Sequence, residues 1–157
     1  MFQKILVPLD GSKLAECALP YAEEMAKGLN TEEIILVSVT ERVQGYRLIE
    51  DPSQTLEPRL IPEAMGKKEK QAQKYLAGLV KAFKAQGITA RAEVLVGNPA
   101  EEITIFAKYN SIDLIIMSSH GRSGPSRWAL GSVADKVFRA SSVPVLMVRA
   151  PGCVAVI

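Results

Sequence analysis

This chain of 157 residues has one histidine, His120, and two cysteines, Cys17 and Cys153. The cysteines lack CxxC spacing, so neither a metal site nor a disulfide framework is expected. Cys17 sits among Ala15, Ala18 and Leu19 and reads as a small core residue. With no Ser/His/Asp set and no paired carboxylates tied to a cleft, nucleophilic or acid–base catalysis is poorly supported. An excess of one charge is also missing, since 19 basic and 17 acidic residues leave a net +2. That balance argues against nucleic acid, as does the lack of aromatic residues interleaved with basic ones. Apolar runs are too short to span a bilayer, so no membrane contact is expected. Phe2-Gln3-Lys4 runs straight into Ile5-Leu6-Val7, so no signal peptide is expected and a cytoplasmic location is the default.

What the chain does have is apolar strands alternating with helical patterns. Hydrophobic residues at 48% and charged residues at 23% describe one globular domain, 1–150, followed by a tail, 151–157. Ile5 to Leu9 reads as a first strand, with Pro8 near its end and Asp10-Gly11-Ser12 as the turn. Asp10 or Ser12 could cap the helix that follows. Pro20 either kinks that helix or marks where it becomes regular, and Gly28 and Asn30 end it. Glu33 to Val39 is a second strand.

Residues 41–65 are polar and proline-bearing and read as a long flexible loop, either over the rim of a site or disordered without a role. Gly66 to Gln86 is the clearest helix, with Ala72, Tyr75, Leu76, Leu79, Val80 and Phe83 on one stripe and its lysines mostly in solvent. A third strand lies around Ala90 to Leu95. Asn98, Pro99 and Glu101 then form a helix start with the features of a capping box.

The stretch from Asp113 to Arg149 organises the rest. Leu114 to Met117 is a buried strand, Ser118 to Gly124 breaks it, and Val133, Ala134, Val137 and Phe138 repeat at helical spacing. Val143 to Val148 is a final apolar strand. Strand, Gly-rich loop and helix together present backbone N–H groups to an anion at the helix N-terminus. Gly121 and Gly131 lack a Cβ, which allows close approach of a phosphate. Ser132 can cap the helix, and Arg122 and Arg127 add charge. From loop composition alone, a bare helix start fits as well as phosphate binding does.

The spacing here resembles the signature of the universal stress protein family, Gly-x-x-Gly, nine residues, then Gly-Ser or Gly-Thr. Ser118 stands at the first Gly, Gly121 at the second, residues 122–130 fill the gap and Gly131-Ser132 close it. ILVPLDGS, IDLIIMSSHGRSG and SSVPVLMVR are also similar to the family. Serine at the first glycine tolerates positive φ less well, so altered rather than lost binding is expected.

The resemblance implies an α/β fold, an open parallel five-stranded sheet of order 3-2-1-4-5 with helices on both faces. It implies an adenine nucleotide, ATP or AMP or ADP, at Pro8, Leu9, Asp10, Val39, Met117, Ser118, His120, Gly121, Arg122, Gly131, Ser132 and Val133. Asp10 would hydrogen-bond the adenine, as would backbone near Val39, and His120 would position the loop or touch ribose. A bound triphosphate would bring Mg2+ through its own oxygens and water. Family members commonly form a homodimer through the last strand, here Val143 to Val148, an apolar sheet edge. The leading expectation is thus a stress-response regulator that binds an adenine nucleotide, with its protein partner unspecified. A nucleotide-free dimeric interaction module and a slow ATPase remain alternatives.

Overall fold

The computed structural model describes residues 1–41, 60–122 and 129–150, with side chains from residue 66 onward in the second span. The elements are β1 (Lys4–Pro8), α1 (Lys13–Glu16), α2 (Leu19–Leu29), β2 (Glu33–Thr40), α3 (Leu60–Ala85), β3 (Ala90–Val96), α4 (Pro99–Tyr109), β4 (Leu114–Ser118), α5 (Ser132–Ala140) and β5 (Val145–Val148). All strand pairs are parallel and the order is β3-β2-β1-β4-β5, as the alternation and the resemblance lead one to expect.

β1, β2 and β4 are covered on both faces, which is why they read as unbroken apolar runs. Strand alternation divides their side chains between two layers. Ile5, Val7, Ile34, Leu36 and Ile116 pack with Ala15, Ala22 and Leu76 of α1, α2 and α3. Leu6, Ile35, Val37, Ile115 and Met117 pack with Ile103 of α4 and Val137 of α5.

Local chemistry sets the element ends. Pro8 is the last residue of β1, where its missing N–H breaks no ladder. Ser12 caps α1 by accepting from Ala15 N. Pro20 lies in the first turn of α2, so regular helix begins there after a four-residue α1. Asn30 ends α2 in the left-handed region at φ 51, whereas Gly28 lies within the helix and is not its stop. Asn98 caps α4 by accepting from Glu101 N, with Pro99 in the first turn.

Some expectations are corrected. α3 begins at Leu60, so residues 60–65 are helix and not part of a loop. Pro62 is the third residue of α3, where no intrahelical N–H bond is lost. The expected last strand, Val143 to Val148, shortens to Val145–Val148. Val143 N donates to Ser141 Oγ in a turn, and Pro144 has no N–H to give. Phe138 does not join the buried stripe of α5 but is 57% exposed, one position past the fully buried Val137. Residues 42–59, Ser123, Gly124, Arg127, Cys153 and the tail 151–157 lie outside the described residues.

Candidate functional site

A cavity of about 710 Å³ opens beyond the C-terminal ends of β1, β2 and β4. In parallel α/β sheets this edge collects ligands where the strand order reverses. β1 is that point here, because β2 lies on one side of it and β4 on the other.

Every residue expected at the site lines this one cavity. β1 and its exit turn supply Pro8, Leu9 and Asp10, and β2 supplies Val39. β4 and the loop after it supply Met117, Ser118, His120, Gly121 and Arg122. The start of α5 supplies Gly131, Ser132 and Val133. Asp10 and Gly131, remote in sequence, thus face the same space.

The two ends of the cavity differ chemically. At the β2 end, pairing with β1 stops at Pro8 and Val37, with Leu9 N donating to Val37 O at 2.8 Å. Peptide groups along a strand alternate sides. Ile34 N bonds toward β3 and Thr40 O accepts from Gly97 N on that same side. Val39, one residue before Thr40, therefore turns both its N–H and its C=O toward the cavity, past the end of β1.

At the other end lies the N-terminus of α5. Gly131 is its N-cap and Ser132 its first helical residue, so Ser132 does not cap the helix as expected. Among the described residues, no side chain caps this terminus. The first bond of the helical ladder runs from Asp135 N to Gly131 O, so the amides of Ser132, Val133 and Ala134 come before the ladder begins. Uncapped amides at the positive end of a helix dipole suit an anion.

Hydrogen bonds hold the loop between these ends. His120 is 4% exposed. Its Nε2 donates to Ala129 O at 2.7 Å, since a carbonyl can only accept. Nδ1 hydrogen-bonds with Ser119 Oγ at 2.9 Å, and that oxygen accepts from Ala150 N at 3.0 Å. His120 thus ties the loop to the start of α5 and the end of β5. Ser118 is buried, and its Oγ accepts from Cys17 Sγ and from His120 N, each at 3.3 Å. Cys17 is half-buried against the core rather than within it.

Both glycines also sit hard against protein groups. A Cβ on Gly121 would lie 2.2 Å from Asp10 Oδ2. One on Gly131 would lie 3.1 Å from Ser119 O. Protein groups already occupy both spaces.

Sequence reasoning missed a wall of the cavity. Lys68, Gln71, Ala72 and Tyr75 of α3 line it, as do Pro99 and Ile103 of α4. The i, i+3, i+4, i+7 spacing from Lys68 to Tyr75 was available in the sequence, but only the fold shows that this stripe overhangs β2. The Tyr75 hydroxyl donates to Glu16 Oε1 at 2.8 Å, joining α3 to α1. Burial, and then the Glu16 carboxylate, push the Tyr75 pKa above the usual phenol range. A raised folded-state value means that the native protein holds this proton more tightly than the unfolded chain. The stabilisation is complete below about pH 10 and is lost as pH rises through the folded value. Thermal melts from pH 8 to 12 are expected to show a smaller alkaline decline for Tyr75→Phe than for wild type. Equal declines would refute the assignment.

A family model described as the universal stress protein family matches residues 1–149. The universal stress protein MJ0577 of Methanocaldococcus jannaschii is 32% identical over 95% of this chain and 96% of its own. The solved structure of MJ0577 superposes with a TM-score of 0.80 over the same shares of the two chains. Universal stress protein YxiE of Bacillus subtilis is 33% identical over 95% of this chain and all of its own length. Arabidopsis thaliana At3g01520, a universal stress protein family member solved with AMP bound, shares the fold at 15% identity and a TM-score of 0.66, covering 96% of this chain and 93% of that one.

Proposed function

Because the chain belongs to the universal stress protein family, we propose that it binds an adenine nucleotide along the C-terminal edge of its sheet and acts as a stress-response regulator. One observation carries this reading: a single cavity has a main-chain donor and acceptor at one end and an uncapped helix N-terminus at the other. The edge of adenine pairs a ring-nitrogen acceptor with an amino donor, which complements Val39 N–H and C=O. The phosphates then fall at Gly131, Ser132 and Val133, where amides and dipole favour negative charge. The AMP bound by a protein of the same fold supports the choice of ligand class.

ATP, ADP and AMP share both recognition ends and differ in how far they reach along α5. A bound triphosphate would bring Mg2+ as the counter-ion of its own oxygens, with no ligand required from this chain. Two copies pair through β5, the sheet edge on which Leu146 is 37% exposed.

Native mass spectrometry of the purified protein, followed by calorimetry with ATP and AMP, tests both parts together. A dimer mass carrying adenine nucleotide is expected. Added ATP at about 100 times its Kd is expected to raise stability by about 2.7 kcal/mol. A monomer at micromolar concentration would refute the pairing. Absence of both heat and thermal shift at millimolar nucleotide would refute the ligand.

A further inference from the structure

We propose that Lys68 of α3 holds the outer phosphates of the nucleotide and so makes the site prefer ATP to AMP. The proposal rests on the nucleotide reading above and says which nucleotide the site is built for.

The lysines of α3 divide by helical position. At about 3.6 residues per turn, Lys67, Lys70, Lys74, Lys81 and Lys84 share one face. Lys68 falls on the opposite face, in register with Ala72, Tyr75, Leu76 and Phe83. Lower in the helix that face is core, with Leu76 fully buried and Phe83 nearly so. β2 and β3 are parallel, so the helix between them runs back along the sheet and begins at the C-terminal edge of the strands. There the inward face leaves the core and lines the cavity with Lys68, Gln71, Ala72 and Tyr75. Lys68 thus stands in a core stripe, at the place where the core gives way to the cavity.

Tyr75 shows where this stripe points. Its hydroxyl donates to Glu16 of α1, and after burial and Glu16 the Asp10 carboxylate also raises its pKa. The stripe therefore faces across the cavity toward the exit turn of β1. Lys68 lies seven residues before Tyr75, about 10 Å farther out along the axis. Side chains on a helix lean toward its N-terminus, which carries the ammonium over the cavity mouth.

Among the described residues, four charged side chains line the cavity: Asp10, Glu41, Lys68 and Arg122. Asp10 accepts from Ser12 N, Ser12 Oγ and Arg122 N, and Arg122 Nε donates to Asp10 O at 2.8 Å. Lys68 makes no hydrogen bond or ion pair with any described residue. It is the lining cation left for a ligand. The amides of Ser132, Val133 and Ala134 suit the first phosphate. Each further phosphate adds negative charge toward the mouth, and Lys68 is the cation placed to meet it.

Calorimetry on the full chain, in low-salt buffer without divalent metal, compares ATP, AMP and adenosine. Wild type is expected to bind ATP more tightly than AMP. Lys68→Met keeps the stem and removes the charge. It is expected to weaken ATP about fivefold while AMP and adenosine change by less than about twofold. Lys68→Arg keeps the charge and is expected to keep the preference. Lys70→Met removes the same charge from the solvent face and is expected to leave the ratio of ATP to AMP affinity as it was. An unchanged ratio in Lys68→Met, or an equal fall in Lys70→Met, would overturn the proposal. Equal losses for all three ligands would also overturn it, by placing Lys68 at the base or the ribose. A wild type that binds AMP as tightly as ATP would do the same. A wild type that binds none of the three would overturn the nucleotide reading, and this proposal with it.

Discussion

Ser132→Glu is expected to cut ATP affinity by roughly a hundredfold while leaving the protein as stable as before, or slightly more so. The two effects have one cause. Ser132 is the first helical residue of α5, exposed and on the cavity wall, at a terminus with no side-chain cap. A carboxylate there meets the positive end of the helix dipole, worth about 0.3–1 kcal/mol in favour of the fold. It also stands where a phosphate would bind. Two like charges about 5 Å apart in an effective dielectric of about 20 repel by roughly 3 kcal/mol. Adenosine, which has no charge, is expected to lose far less. Calorimetry with both ligands and a melting curve provide the three numbers. Full ATP affinity in this variant would show that the phosphates lie elsewhere. A drop in melting temperature would show that the helix start is not free to accept an anion.

Ile115→Ala is expected to lower the melting temperature by about 10 °C. Ile115 is fully buried in the layer between the sheet and α4 and α5. It pairs with Leu6 on one side and Val145 on the other, so no neighbouring strand can easily move in to fill the gap. Removing a large side chain from such a position costs about 2–5 kcal/mol, out of a total of about 5–15. For a domain of this size each kcal/mol moves the midpoint by about 2–4 °C. Scanning calorimetry at fixed protein concentration reads the shift. A change below about 3 °C would mean that the sheet relaxes around the cavity.

The fold was legible because the central strands are buried on both faces. ILV at Ile5, EIILV at Glu33 and LIIM at Leu114 need no tertiary information to be read as strands. Caps were legible where a side chain makes them, as at Ser12 and Asn98. They were misread where the backbone does the work, since a Gly131 N-cap looks like a serine cap at Ser132. Pro62 fell in the stretch read as a loop, yet a proline third in a helix interrupts no intrahelical bond. The site residues on β1, β4 and α5 came from the segments that carry the family resemblance. The α3 wall did not, because Lys68 and Tyr75 reach the cavity only through packing on a distant sheet edge. The occupancy of Asp10 was hidden for the same reason, since its partner Arg122 is 112 residues away.

That β1 pairs with β4 has a bearing on how the protein is made. Lys4 N meets Asp113 Oδ2 across 109 residues, so the middle strand waits for one synthesised much later. During translation Val39 and Asp10 emerge well before the helix terminus that faces them. The nucleotide that we propose would therefore act as a molecular staple between segments made far apart in time.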